Sequence, residues 1–225
     1  MNPIFSRQRL LCGLLPLLLA PVLFGCSDGR GKREANAQNF TAATKYFLEQ
    51  RGHLCLAKYN WPVFVTSEDS ANKTRDSTQM PVLESLGLVK ARTTVIERSD
   101  GHGNQVTAHA VQYDLTPEGN RSYLHFPIVV ATPGKRVTYD ADLCAATLSL
   151  DRVVGWEPPI DQDGETRTSV LYTYKILPTN WARDRRALTV FPTIARAMEG
   201  EGKMQLREGM HLAPDGWVAD EIDLR

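Results

Sequence analysis

The sequence has no excess of charge of either sign. It contains 26 lysine and arginine residues and 26 aspartate and glutamate residues, and its formal net charge at pH 7 is zero. Proteins that bind nucleic acid through its phosphates carry a clustered excess of basic residues. The balance of charge therefore gives no reason to expect nucleic acid as a partner.

Known catalytic motifs are absent as well. The sequence has no His-Glu-x-x-His zinc motif, no Gly-x-Ser-x-Gly elbow, no phosphate-binding Gly-x-x-x-x-Gly-Lys loop and no dinucleotide-binding fingerprint. We therefore expect a protein that is not an enzyme and that needs neither a metal nor another cofactor. A catalytic site assembled from residues far apart in the sequence would escape such a search and stays the alternative.

No apolar run is as long as the roughly 20 residues of a typical transmembrane helix. The one candidate extends from Leu10 to Phe24, about 15 residues without a charge. Arg7 and Arg9 precede it, and a polar stretch begins directly after Cys26. A basic start, an apolar middle and a processing site in this order are typical of an export signal.

The sequence Leu-Phe-Gly-Cys at residues 23–26 resembles the lipobox of bacterial lipoproteins. The resemblance implies that residues 1–25 are a signal peptide, and that Cys26 carries diacylglycerol and palmitate and anchors the chain in a membrane. Ser27 is compatible with delivery to the outer membrane, with the rest of the chain facing the periplasm. The alternatives are an ordinary cleaved signal, in which Cys26 has no role, and an uncleaved membrane anchor.

Cysteine is scarce, with four residues in the whole sequence. Cys12 lies in the expected signal peptide, and Cys26 is the expected lipid attachment site. Only Cys55 and Cys144 remain, and the oxidising periplasm favours a disulfide bond between them. The alternative is a pair of buried free thiols. Because no Cys-x-x-Cys motif is present, thiol redox catalysis has no support.

The first half of the mature chain alternates polar stretches with short patterned segments. Residues 26–38 are small and polar and are expected to form a flexible tether. The spacing of apolar residues predicts a helix over residues 39–51, which Asn39 caps and a left-handed Gly52 ends. Residues 67–78 are polar and are expected to form a loop.

The segment at residues 80–124 has the strongest pattern. It predicts a helix that begins near Thr78 and ends at Gly87, followed by a hairpin of strands 89–98 and 105–115. This order is similar to the second half of a winged-helix domain, with the hairpin as the wing. DNA-binding domains of that class need a basic recognition helix, which this segment lacks. The similarity therefore implies a local fold and no nucleic-acid partner.

The second half is predicted to contain a sheet and one helix. Alternating apolar residues predict strands over residues 145–156 and 168–177, joined by a long turn rich in Pro, Asp and Gly. A helix over residues 187–199 and a final hairpin that turns at residues 213–216 follow. The first of these strands is expected to place on one face Ala146, Leu148, Leu150, Val154 and Trp156.

These elements together predict an α+β fold, an antiparallel sheet with a few short helices. The expected division is into residues 39–132, with their winged-helix-like segment, and residues 137–225. A single domain that includes both parts is the alternative.

One stretch, Asn-Trp-Ala-Arg-Asp-Arg-Arg-Ala at residues 180–187, is the candidate partner-binding site. Trp181 could offer a flat face, and basic side chains beside it could contact an acidic partner, an anionic glycan or a lipid headgroup. The basic residues are Arg183, Arg185 and Arg186. The alternative is the start of an amphipathic helix, whose solvated arginines Asp184 partly balances.

These observations favour a membrane-tethered lipoprotein that binds an envelope protein without catalysis, as an adaptor or an immunity-type inhibitor. A tether of this kind raises the local concentration of the protein at the membrane. The alternative is an envelope enzyme or a glycan-binding lipoprotein, with a site that no sequence motif reveals.

Overall fold

The computed structural model describes residues 30–99 and 103–222. Its fold is α+β, with antiparallel sheets and short helices, as predicted. The helices are α1 (Arg30–Arg33), α2 (Ala37–Arg51), α3 (Ser67–Ala71), α4 (Arg75–Ser85), α5 (Pro117–Ser122), α6 (Arg185–Val190) and α7 (Pro192–Glu199). The strands are β1 (His53–Cys55), β2 (Val63–Thr66), β3 (Val89–Ser99), β4 (Gln105–Leu115), β5 (Tyr123–Thr132), β6 (Lys135–Trp156), β7 (Ile160–Gln162), β8 (Glu165–Pro178), β9 (Leu206–Ala213) and β10 (Gly216–Ala219). Short 3-10 helices span Trp181–Arg183 and Asp220–Ile222.

The strands form a large sheet and a small sheet. In the large sheet the order is β1-β6-β8-β9-β10, while β5 pairs with β6 and β7 with β8. In the small sheet the order is β2-β4-β3, so β3 lies at an edge. The described pairings are antiparallel. The predicted division of the chain falls in the turn between β5 and β6, two strands that pair with each other.

The predicted hairpin of β3 and β4 is confirmed. Its pairs run without a register shift from Val89 opposite Leu115 to Ser99 opposite Gln105. Residues 100–102 of its turn lie outside the described residues. The winged-helix resemblance of this region stays a prediction.

Helix α2 ends at Arg51 as predicted, but its start and the conformation of Gly52 differ from the prediction. It begins at Ala37, and the side chain of Asn36, rather than Asn39, caps it by accepting a hydrogen bond from the Asn39 N–H at 2.9 Å. The φ of Gly52 is −72°, so this glycine is not left-handed. Glycine is needed there for space, because a Cβ would lie 2.4 Å from the Leu48 carbonyl oxygen and 2.6 Å from that of Leu148.

The prediction of a loop over residues 67–78 is wrong. Thr66 and Asp69 form a capping box that starts α3, and the Thr74 side chain caps α4. Threonine and aspartate favour helix starts because their oxygens accept the unpaired N–H groups of the first turn. A polar stretch can therefore contain two helix starts, and α4 begins before Thr78.

The predicted helix over residues 187–199 is divided in two. Its first part, α6, begins at Arg185 with Asp184 as the cap, and α7 begins at Pro192. Proline lacks an N–H and is favoured in the first turn of a helix, so Pro192 separates the two. The predicted turn between β6 and β8 is also shorter than expected, because it contains β7 and closes on Asp163 and Gly164, both with positive φ.

Strand β6 does not keep a single face along its length. Its pairing with β8 shifts between Leu150 and Arg152 and again between Val153 and Gly155. These bulges place Val153 against the core and leave Val154 exposed at 44%. The prediction that Val154 shares the face of Leu150 is therefore wrong, because each bulge adds one residue and reverses the alternation.

The described part of the predicted tether contains α1 and the start of α2, and it contacts the β9–β10 hairpin. Arg33 donates hydrogen bonds to the carbonyl oxygens of Ala213 and Pro214 at 3.0 and 3.2 Å. The Trp217 indole N–H donates to the Glu34 carbonyl oxygen at 3.2 Å. The predicted final hairpin is confirmed, since Gly216 pairs with Ala213.

Two groups of buried side chains hold the fold together. The larger group joins the small sheet to α4, α6 and α7, and it includes Met80, Leu83, Val89, Tyr113, Phe191 and Ile194. The second group places α2 on the large sheet, through Phe40, Phe47 and Leu48 against Val170, Tyr172 and Trp217. Each fully buried side chain of this size contributes about 2 kcal/mol. No helix in the described ranges is long and apolar enough to cross a membrane.

Candidate functional site

The predicted lipid attachment site, Cys26, lies outside the described residues, as do residues 1–25. The disulfide bond predicted between Cys55 and Cys144 is present and is confirmed. The two cysteines are register partners in β1 and β6, and the bond closes a separation of 89 residues.

Trp181 does not offer a flat face to a partner. Its side chain is 8% exposed, its indole N–H donates to the Ser122 hydroxyl at 3.0 Å, and its ring meets Phe191 edge-on at 6.3 Å. The 3-10 helix that contains Trp181 directs the indole into the main core. Its assignment as a binding residue is therefore corrected to a packing role.

The three arginines beside Trp181 are exposed but are not equivalent. The Arg186 guanidinium donates to both oxygens of the Asp184 carboxylate, at 3.0 and 2.8 Å, and also reaches the Ser85 carbonyl oxygen at 3.3 Å. These hydrogen bonds hold the pKa of Asp184 at about 2. Arg186 thus stabilises the start of α6, while Arg183 and Arg185 have no ionic partner among the described residues. A partner-binding role for the arginines stays a prediction.

A buried carboxyl that sequence reasoning missed lies on β9. Glu208 is 7% exposed on the face of the large sheet that α2 covers, and it accepts a hydrogen bond from the Glu221 backbone N–H. Burial, and then the nearby charges of Glu221 and Asp220, raise the pKa of Glu208 to about 7. The same surroundings raise the pKa of the neighbouring Tyr172 hydroxyl. No sequence pattern marks Glu208, because its burial depends on later segments of the chain, including the 3-10 helix Asp220–Ile222, packing against β9.

A second buried ionic group lies beside the disulfide bond. The Asp142 carboxylate accepts the N–H groups of Ala57 and Lys58 at 3.0 and 2.7 Å, and the Lys58 ammonium pairs with Asp76. Burial raises the pKa of Asp142 and lowers that of Lys58. The hydrogen bonds satisfy these groups and fix the segment after Cys55 on β6, which is a structural role. Among the described residues, no cluster of His, Cys, Asp or Glu could hold a metal ion.

Strand β3 presents an accessible edge at one side of the small sheet. The Ala91 N–H points away from β4, because it donates to the Glu84 carboxylate at 3.2 Å. Successive residues of a strand point their backbone N–H and C=O groups to opposite sides. The groups of Thr93, Val95 and Glu97 therefore point away from β4, as the Ala91 N–H does. Within the described ranges, no other group hydrogen-bonds to them. We call these three residues the open edge.

Apolar surface continues beside the open edge. The Val95 side chain is 53% exposed although it lies in the middle of a strand. A groove of about 200 Å³ runs along the same face of the small sheet, between α3 and the strands, and Thr93, His109 and Val111 line it. An added side chain at this edge would find apolar contacts without a change in the sheet. The sequence predicted the hairpin, but only the order of the three strands places β3 at the edge of the small sheet.

Comparisons with models of protein families, with curated proteins and with solved structures found no match to this chain.

Proposed function

We propose that this protein is a membrane-tethered bacterial lipoprotein that binds an envelope protein without catalysis, and that it does so through the open edge. The observation that carries the proposal is the regular edge of β3, where Val95 is exposed beside an apolar groove. The outward backbone groups of the open edge have no partner in the part of the chain that the structure describes. Unpaired strand edges are templates for pairing with another chain. An exposed edge of this kind supports binding better than it supports catalysis.

The anchor would hold the described body close to the membrane. Cys26 precedes Arg30 by four residues, a reach of at most about 14 Å. Because α1 contacts the β9–β10 hairpin, this hairpin would lie near the lipid. Tethering would raise the effective concentration of the binding surface for a partner in the same envelope, as suits an adaptor or an inhibitor.

Replacing Cys26 with serine is expected to release the protein from the membrane or leave it as a longer precursor, because serine has no thiol to accept the lipid. Membrane fractionation and intact-mass measurement check this. Cys12→Ser is the matched control and should leave both readouts unchanged. Unchanged fractionation and size of Cys26→Ser would contradict the lipid anchor.

In-cell photocrosslinking tests the binding surface. A photoreactive amino acid at Val95 is expected to give one adduct at near-stoichiometric yield, and Leu177, 73% exposed on the large sheet, is the control position. A third position, Arg185, tests the arginine site predicted from the sequence. An adduct at Arg185 and none at Val95 would indicate that the partner binds at the arginines and would contradict binding through the open edge. No adduct at any position would contradict protein binding and favour a glycan ligand or catalysis.

A further inference from the structure

We propose that the partner adds one extended strand to β3, so that the small sheet gains a fourth strand. The occupant is a segment of a different protein with apolar side chains on one side and acidic side chains on the other. This inference rests on the proposed binding function and specifies how the open edge is used.

The outward backbone groups of β3 have the spacing that an added strand needs. Thr93, Val95 and Glu97 direct their N–H and C=O groups outward at every second residue, the spacing at which an antiparallel neighbour forms its hydrogen bonds. An added strand therefore finds donors and acceptors already in line.

The other strand edges are shorter or less regular. Strands β2 and β10 have four residues each. Strand β5 contains Pro127 and a register shift between His125 and Ile128, and β6 has two bulges beyond Leu150. Bulges and prolines interrupt the row of backbone groups and disfavour strand pairing. Strand β3 has eleven residues with neither feature.

The side chains of β3 determine which residue types the added strand should carry on each of its two faces. On the face with the groove, Val95 and Thr93 offer apolar contact. The opposite face of β3 carries Lys90 and Arg92 towards one end and Arg98 towards the other, with Thr94 and Ile96 between them. Opposite charges across neighbouring strands stabilise the pair, while like charges destabilise it. A partner strand with valine-like residues on the first face and acidic residues on the second therefore matches both.

The same charges disfavour a second copy of this chain as the occupant. Two β3 strands paired about Val95 would bring Arg92 of one copy opposite Arg98 of the other. Within one copy these arginines already pair, Arg92 with Asp114 at 3.4 Å and Arg98 with Glu68. Lys90 has no ionic partner among the described residues and adds a further positive charge to the edge.

A synthetic nonapeptide of alternating glutamate and valine tests this mode of binding on the full chain in detergent. We expect it to bind and to slow hydrogen exchange at the amides of Thr93, Val95 and Glu97. The same peptide with alternate amides N-methylated should bind about tenfold or more weakly, because the donors are lost. A lysine-valine peptide should bind about tenfold more weakly, because like charges then face Arg92 and Arg98.

A pair of variants provides the matched control on the protein side. Val95→Pro removes an outward N–H but no bond to β4 and should weaken binding, whereas Val95→Thr keeps the N–H and should bind almost as well as the wild type. Equal binding of the methylated and unmethylated peptides, no binding of the glutamate-valine peptide, or protection elsewhere in the chain would overturn strand addition. If Val95→Pro does not fold, the methylated peptide still tests strand addition, because it is used with the wild-type protein. If a partner crosslinks at Val95 but the peptides do not bind, the proposed binding function is supported and strand addition is contradicted.

Discussion

Replacement of Cys55 and Cys144 with alanine is expected to lower the free energy of unfolding more than any other change considered for this protein. The disulfide bond closes a separation of 89 residues. In the chain-entropy model a loop of that length contributes about 4 to 5 kcal/mol, because the bond restricts the unfolded chain. The bond also joins β1 to β6, and so it fastens the segment after α2 to the large sheet.

Urea denaturation followed by tryptophan fluorescence measures this effect. The double variant should unfold at a urea concentration lower by about 2 M, the loss in free energy divided by a typical slope for a chain of this size. Reductant should lower the midpoint of the wild type toward that of the variant and leave the variant unchanged. Equal midpoints for wild type and variant would contradict the contribution of the bond.

Substitution of Glu208 with glutamine is expected to stabilise the protein at neutral and alkaline pH. Burial raises the pKa of Glu208 from the ordinary value of 4.5 to about 7. The folded state therefore binds this proton more tightly than the unfolded state, and stability falls as pH rises from about 4.5 to 7. Glutamine keeps an oxygen that can accept the Glu221 N–H but carries no charge to desolvate. The gain above pH 7 should reach about 2 to 3 kcal/mol.

The measurement compares the unfolding free energies of wild type and Glu208→Gln at intervals from pH 4.5 to 8. Their difference should be near zero at the acidic end and should grow through the window between the two pKa values. Glu199→Gln is the control, because Glu199 is exposed on α7. A difference between wild type and Glu208→Gln that does not change with pH would show that the carboxyl is not held neutral by the fold.

Local chemistry explains which elements were predictable. The β3–β4 hairpin follows from alternating β-branched residues around a turn. The disulfide pairing follows because only Cys55 and Cys144 lie outside the expected signal peptide and lipid attachment site. The starts of α3 and α4 were missed although threonine and aspartate caps are visible in the sequence. The polar composition of this segment led to the prediction of a loop, although the positions of its capping residues indicate helix starts.

Other features depend on contacts between distant residues, so no local pattern contains them. The two bulges of β6 reverse its alternation only because β8 sets the register. Trp181 is buried because Phe191, between α6 and α7, lies beside it and Ser122 accepts its N–H. Inspection of residues 180–187 alone could not distinguish this tryptophan from an exposed one.

By itself the sequence determined the α+β class, the hairpins and the single cysteine pair, because these depend on alternation, turn residues and a count. It also carries the prediction of the lipid anchor at Cys26. Only the tertiary structure decided that β3 stands at the edge of the small sheet and that Glu208 is buried. Strand order and burial depend on which surfaces meet when the chain folds, and the free energy of those contacts belongs to pairs of residues far apart in sequence.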